Sequence, residues 1–214
     1  MNKTIINNLV TISGEIASGF NFSHEIYGEK FYIVDVKVQR IIDAYDIVPV
    51  MVSERLIDVT ENCYGMLICV QGQFRSYNSR EGLKNRLVLA VFAKEIEFLD
   101  EVDKSEKANQ IFLDGYICKS PIYRKTPLGR EIADLLIAVN RPYGKSDYIP
   151  CICWGRNARY ASTFNAGTNV RVFGRIQSRE YKKKLSDDGA FETRIAYEAS
   201  ISKLEVHKEQ MHEE

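Results

Sequence analysis

Residues 8–99 and 109–206 can be laid on each other at a fixed offset of 101 positions, and this internal repeat limits the possible folds more than any other feature. Gly14 falls on Gly115, Ile16 on Ile117, Gly28 on Gly129, Val38 on Val139, Arg40 on Arg141, Asp46 on Asp147 and Pro49 on Pro150. Apolar positions keep the same spacing: Val10 meets Ile111, Val34 meets Leu135 and Val36 meets Ile137. Farther on the spacing drifts, with Gly72 opposite Gly174 and Arg86 opposite Arg194, as loops of unequal length require. Self-similarity over this distance means two copies of one fold of about 100 residues each. The differences between the copies then indicate where function sits.

A chain of 214 residues, 45% apolar, suffices for two small cores. No run approaches the ~20 apolar residues needed to cross a bilayer. The N-terminus lacks the apolar stretch of a signal peptide, so a mature, cytoplasmic chain is expected. Five cysteines (Cys63, Cys69, Cys118, Cys151, Cys153) lie in apolar, strand-like contexts. Cys151 and Cys153 have no partners at metal-ligand spacing, so small buried thiols are expected and no metal site.

Net charge is zero, yet it is unevenly divided. Residues 109–206 carry 16 Lys+Arg against 10 Asp+Glu, whereas 8–99 carry 9 against 12. Binding electrostatics follow local charge, so a polyanionic partner would be drawn to the second copy.

Strands dominate the pattern. Val34, Val36 and Val38 alternate with polar Asp35, Lys37 and Gln39, and Leu135, Ile137 and Val139 share one face of the matching run. Further strands are expected at 47–53, 66–74 and 86–93, and at 148–154, 169–177 and 193–201. Gly14 and Gly115 in the first strands suggest the bends that a closed barrel needs. One short helix per copy is expected, at about 54–62 and 156–164, between the third and fourth strands. The expected fold class is therefore all-β, with two tandem OB-fold barrels, each five-stranded with one short helix. The domains are placed at 1–103 and 104–214, joined by a charged linker at 100–108. A charged tail at 207–214 is expected to be disordered.

In the strand 148–154, Ile149, Cys151 and Cys153 share the core face, which leaves Tyr148, Pro150, Ile152 and Trp154 outside. Tyr143 lies in the turn between strands two and three, and Tyr181 begins the loop between strands four and five. Arg141, Lys145, Arg179 and Lys182 to Lys184 surround them. Aromatic rings offer faces on which unpaired bases stack, at about 1–3 kcal/mol per base, while basic side chains neutralise phosphates. An outer aromatic pair can equally be an oligomer contact, and a charge run is usually a solvated loop. Their combination on the loops of one barrel points to single-stranded nucleic acid.

The second copy also resembles the bacterial single-stranded DNA-binding protein family. The motifs that carry the resemblance are Gly115–Pro121 (GYICKSP), Arg124–Gly129 (RKTPLG), Ala138–Arg141 (AVNR), Cys153–Arg156 (CWGR) and Gly174–Tyr181 (GRIQSREY), in the family's order across nearly all of 110–206. The resemblance implies that Tyr143, Tyr148, Trp154 and Tyr181 stack bases. It also implies DNA contacts by the basic residues Arg124, Arg156 and Arg179; Lys145, Lys182 and Lys183 complete the candidate site.

The first copy departs from this pattern. Ile42 stands opposite Tyr143, Ile47 opposite Tyr148 and Ser53 opposite Trp154, and Tyr181 has no clear equivalent; Tyr45 and Tyr77 lie near the missing positions but out of register. This copy either serves assembly or binds weakly through Arg75, Arg80, Lys84 and Arg86; assembly is the favoured expectation. Many family members end in an acidic Pro-Phe tip that recruits partners, and the sequence ending at 214 lacks one, so recruitment by that route is not expected. No cofactor and no catalytic set is expected: there is no phosphate loop, nucleophile elbow or acidic metal cluster. The family usually assembles four barrels, which implies a homodimer acting as a pseudo-tetramer. The overall expectation is sequence-tolerant single-stranded DNA binding in replication, recombination or repair, with nucleoid association. The alternatives are a primosome-type scaffold contacting replication proteins and an RNA-binding OB module.

Overall fold

The computed structural model describes residues 6–41, 44–81, 84–101, 108–184 and 191–207. The first half forms β1 (Asn8–Ile16), β2 (Asn21–Ile26), β3 (Glu29–Ile41), β4 (Ala44–Ser53), β5 (Leu67–Glu81) and β6 (Lys84–Leu99). The second half forms β7 (Asn109–Ile117), β8 (Ile122–Lys125), β9 (Glu131–Asn140), β10 (Ser146–Trp154), α1 (Arg156–Ala161), β11 (Asn169–Lys184) and β12 (Phe191–Val206). In each half five strands pair into a closed ring. The first runs β1–β3–β4–β6–β5 and back to β1; the second runs β7–β9–β10–β12–β11 and back to β7. β2 and β8 are short additions hydrogen-bonded only to β3 and β9.

The alternation read from the sequence sets what lies inside. Val34, Val36 and Val38 are buried, as are Leu135, Ile137 and Val139, and Ile149, Cys151 and Cys153. Burial pushes the Cys153 thiol up to about 12 and holds that of Cys151 well above its usual range, so both stay protonated core groups. All five cysteines are free. The repeated glycines sit where strands cross closely. A Cβ at Gly14 would lie 2.3 Å from the Lys37 carbonyl oxygen, and one at Gly115 2.4 Å from that of Ala138. Both glycines stand at the β1–β3 and β7–β9 contacts that close the rings.

The expectation of a helix in each copy is corrected. The helix at 156–164 forms, in a shorter version, as α1, but residues 54–62 form turns. Ile57, Val59 and Thr60 are β-branched and disfavour helix, and the Asp58 carboxylate accepts from the Thr60 N–H, offering the backbone a turn instead. The expected linker falls mostly outside the described residues, as does 208–214 of the tail. No helix among the described residues is long and apolar enough to cross a membrane.

The two rings share one continuous sheet. β1 pairs antiparallel with β7, and Val10 stands in register directly opposite its own counterpart, Ile111. The repeat is therefore related to itself by a local twofold passing between these two residues. Asn8 and Asn109, equivalent in the repeat, repeat the symmetry: Asn8 bonds both the N–H and the carbonyl of Phe74, and Asn109 those of Ile176, at 2.8–2.9 Å.

Candidate nucleic-acid interface

The outer face of the second barrel is built by β8, β9, β10 and the long β11–β12 hairpin. Because Ile149, Cys151 and Cys153 point inward, period two turns Tyr148 and Trp154 outward, at 47% and 39% exposure. Tyr181, expected at the start of a loop, stands instead within β11, which continues to Lys184; it is 38% exposed and paired in register with Arg194. Tyr143 is fully exposed in a 3-10 turn, Pro142–Gly144, with a φ of 64°. A tyrosine in left-handed backbone with no packing is a ring presented to solvent.

Register shows which groups meet. Ile132 of β9 lies between Arg124 of β8 and Trp154 of β10, so these two flank one position on the same face. The Trp154 indole N–H donates to Ser200 Oγ of β12 at 3.3 Å. Beside it lies a shallow recess of about 390 Å³ lined by Lys125, Gly129, Arg130, Glu131 and Gly155. Arg156, Lys145 and Lys182 are exposed, while the side chain of Lys183 lies outside the described set.

Two of the expected phosphate contacts are already paired. Arg124 Nε donates to Asp134 at 2.8 Å, which raises the arginine's affinity for its proton. Arg179 Nε lies 3.7 Å from Glu198, whose carboxylate also accepts from Gln177 at 2.7 Å. Both arginines are about half exposed, but only the Arg124–Asp134 pair is exposed on both sides; such a pair contributes only about 0–1 kcal/mol, so a phosphate can replace Asp134, whereas Glu198 is buried beneath Arg179. Sequence reading passed over Tyr123, which is exposed beside Arg124 and donates its hydroxyl proton to Glu131 at 2.6 Å.

The corresponding face of the first barrel is closed by its own rings. β4 and β6 pair with Met51 opposite Phe92, as β10 and β12 pair with Ile152 opposite Ser200, so Phe92 holds the place of Ser200. Ser53 holds the place of Trp154; it is buried and donates to Glu29. The Arg75 guanidinium covers the Phe92 ring at 4.1 Å, Phe31 packs beside it at 5.7 Å, and His24 stacks on Phe31 at 5.1 Å. Arg80, Lys84 and Arg86 have side chains outside the described set, as does all of Ile42. Among the described residues no group of His, Cys, Asp or Glu could hold a metal ion.

The model of the single-strand binding protein family matches residues 108–206. Single-stranded DNA-binding protein B of Bacillus subtilis is 34% identical over 83 residues, covering 36% of this chain and 74% of that protein. Single-stranded DNA-binding protein 2 of Listeria innocua is 36% identical over 81 residues (35% of this chain, 51% of that protein). The protein from Oceanobacillus iheyensis is 37% identical over 81 (35% and 50%). The chain thus spans about half the length of the latter two relatives. Among solved structures, the wild-type single-stranded DNA binding protein of Thermus aquaticus superposes with a TM-score of 0.74 at 18% identity, over 97% of this chain and 96% of that one. That likeness extends the shared fold through the first barrel. The chain belongs to the single-strand binding protein family.

Proposed function

We propose that this protein binds single-stranded DNA without sequence preference, in replication, recombination or repair, through the outer face of its second barrel. The observation that carries this is the set of open rings, Tyr143, Tyr148, Trp154 and Tyr181, on a face and hairpin that also present Arg124, Lys145, Arg156, Arg179 and Lys182. Bases stack on the rings, and the cations follow the phosphates. The division of labour is residues 104–214 for binding and 1–103 for assembly. The second barrel's surplus of positive charge, and the Phe92 ring that the first barrel covers with Arg75 at the place of Ser200, both support it.

The protein assembles as a homodimer with four barrels. A groove of about 1010 Å³ on the outer face of β1, β7 and β11, lined in part by Leu9, Phe112 and Phe173, is the surface offered to a second copy. Leu9 is 47% exposed there, and the Phe112 and Phe173 rings pack at 5.0 Å. Sedimentation of the parent and of Leu9→Asp tests this: a dimer that the substitution turns into a monomer is expected.

The binding reading is tested by titrating Trp154 emission with oligo-dT, oligo-U and duplex DNA at two salt concentrations. Quenching by oligo-dT that weakens with salt is the expected result. Absence of binding below micromolar concentrations overturns it, and equal preference for oligo-U redirects it to RNA.

A further inference from the structure

Each ring carries one buried carboxylate that reaches into the other ring, and the pair is related by the local twofold. Asp147, on β10, is 1% exposed and is held by Arg141 of its own barrel. Its Oδ1 accepts the N–H of Ser76, on β5 of the first barrel, at 2.6 Å. Ser76 answers at three points: its Oγ lies 3.5 Å from Asp147, it accepts the N–H of Tyr148 at 2.8 Å, and its carbonyl accepts from Arg141 at 2.9 Å. Asp46, on β4, is wholly buried and is held by Arg40 at 2.9 Å. It accepts the N–H of Ser178, on β11 of the second barrel, at 2.8 Å and the hydroxyl at 3.2 Å, and Arg175 of β11 at 3.1 Å.

These contacts fall beside the aromatic residues of the candidate site. Ser76 bonds the backbone of Tyr148 itself, and Arg141, which it also holds, opens the turn that carries Tyr143. Ser178 precedes Arg179 and Tyr181 on the same strand. A buried N–H left without its acceptor is costly, so these bonds fix the backbone on which the rings stand. The first barrel has no ring at the positions of Tyr148 and Trp154, where Ile47 and Ser53 stand, yet keeps both brackets.

We propose that Ser76 and Asp46 of the first barrel are positioning residues for the second barrel's binding face. Ser76 sets the place of Tyr148 and the Tyr143 turn; Asp46 sets the hairpin bearing Arg179 and Tyr181. This rests on the reading of that face as a single-stranded DNA site. The first barrel then contributes to affinity without touching the bases.

Crossed double-mutant cycles on the full chain test this, with oligo-dT as the probe and the thermal midpoint recorded for every variant. Ser76→Ala removes the acceptor for the Tyr148 N–H, and Asp46→Asn removes the charge between Arg40 and Arg175. Each is expected to weaken oligo-dT binding by about three- to tenfold, a part of one stacked base. Ser76→Ala should add little in a Tyr148→Ala background and its full effect in a Tyr181→Ala background; Asp46→Asn should behave the opposite way. A general loss of stability would not produce that crossed pattern. Ser76→Thr keeps the accepting oxygen, gives a folded comparison if Ser76→Ala fails, and is expected to bind within about twofold of the parent. Additive effects in every background, unchanged affinity for both single variants, or a Ser76→Thr as weak as Ser76→Ala would overturn the proposal. A parent chain that does not bind oligo-dT instead removes the functional reading beneath it.

Discussion

At one position of the repeat the two barrels have made opposite choices. The second places an indole on the end of β10 and a small serine on β12 beneath it; the first places a serine on the end of β4 and a phenylalanine on β6. The exchange conserves an aromatic ring but reverses its use. Trp154 stands over Ser200 with its outer face open, whereas Phe92 lies under the Arg75 guanidinium and against Phe31. A ring whose faces already meet protein groups has nothing left for a base. At this position, counting aromatics therefore does not tell the two faces apart; what differs is whether the faces of the ring are free.

The comparison is most exposed to single truncations on the two faces. Trp154→Ala and Tyr148→Ala are each expected to weaken oligo-dT binding by about five- to a hundredfold, because a stacked base contributes roughly 1–3 kcal/mol. Phe92→Ala should leave affinity within about twofold, and equilibrium titration of the three variants decides. A Phe92→Ala as weak as Trp154→Ala would break the comparison outright.

Rebuilding the missing arrangement sharpens it. Ser53→Trp combined with Phe92→Ser restores the second barrel's pair in the first, and the two changes are needed together because Ser53 is buried beside Phe31. With Arg75 nearby as a cation, the new indole is expected to tighten oligo-dT binding by about three- to tenfold. In a Trp154→Phe background, its emission should be quenched on binding. A new indole that is not quenched would mean that the first barrel's surface is unsuitable for reasons beyond its missing ring.

Stability should follow the reverse order. Phe92 is partly buried among Phe31 and Arg75, so Phe92→Ala is expected to cost about 1–2 kcal/mol, below the ~3–5 kcal/mol of a fully buried phenylalanine. Trp154→Ala should cost less than Phe92→Ala, since at 39% exposure more of its ring already meets water. Chemical denaturation measures both. Equal losses would mean that Trp154 is as much a core residue as Phe92.

Much of this was legible in the sequence because it depends on period and repetition. Gly14 and Gly115 marked the ring-closing contacts because only a missing Cβ allows a carbonyl within about 2.4 Å. Inward Ile149, Cys151 and Cys153 fixed the outward side of Tyr148 and Trp154 through strand alternation alone. The helix expected at 54–62 does not form although its counterpart at 156–164 does, because local Asp58–Thr60 bonding decides the backbone there. The brackets were half visible: Arg40–Asp46 and Arg141–Asp147 stand in register, but nothing along the chain says that Ser178 and Ser76 are their partners. The Trp154–Ser200 and Ser53–Phe92 exchange was hidden for the same reason. It links strands 46 and 39 positions apart, and their spacing differs between the copies because the loops do.

The smallest effect concerns the ions around the rings. In the second barrel Arg124 is held by Asp134 at 2.8 Å; at the repeat offset the first barrel has Ser23 and Ile33 and no such pair. A phosphate that takes Arg124 must displace the carboxylate, and Asp134 then stands close to it as a like charge. Asp134→Asn removes that repulsion and keeps an oxygen that can accept from the guanidinium. The exposed pair contributes little to folding, so the midpoint of unfolding should move by no more than the equivalent of about 0.5 kcal/mol. Oligo-dT affinity should rise by about two- to threefold at low salt, and the gain should shrink as salt screens the Asp134 charge in the parent. Titrations across a salt series read both. Weaker binding would mean that Asp134 holds Arg124 in its working position, which would make the carboxylate part of the binding face and the difference between the barrels larger still.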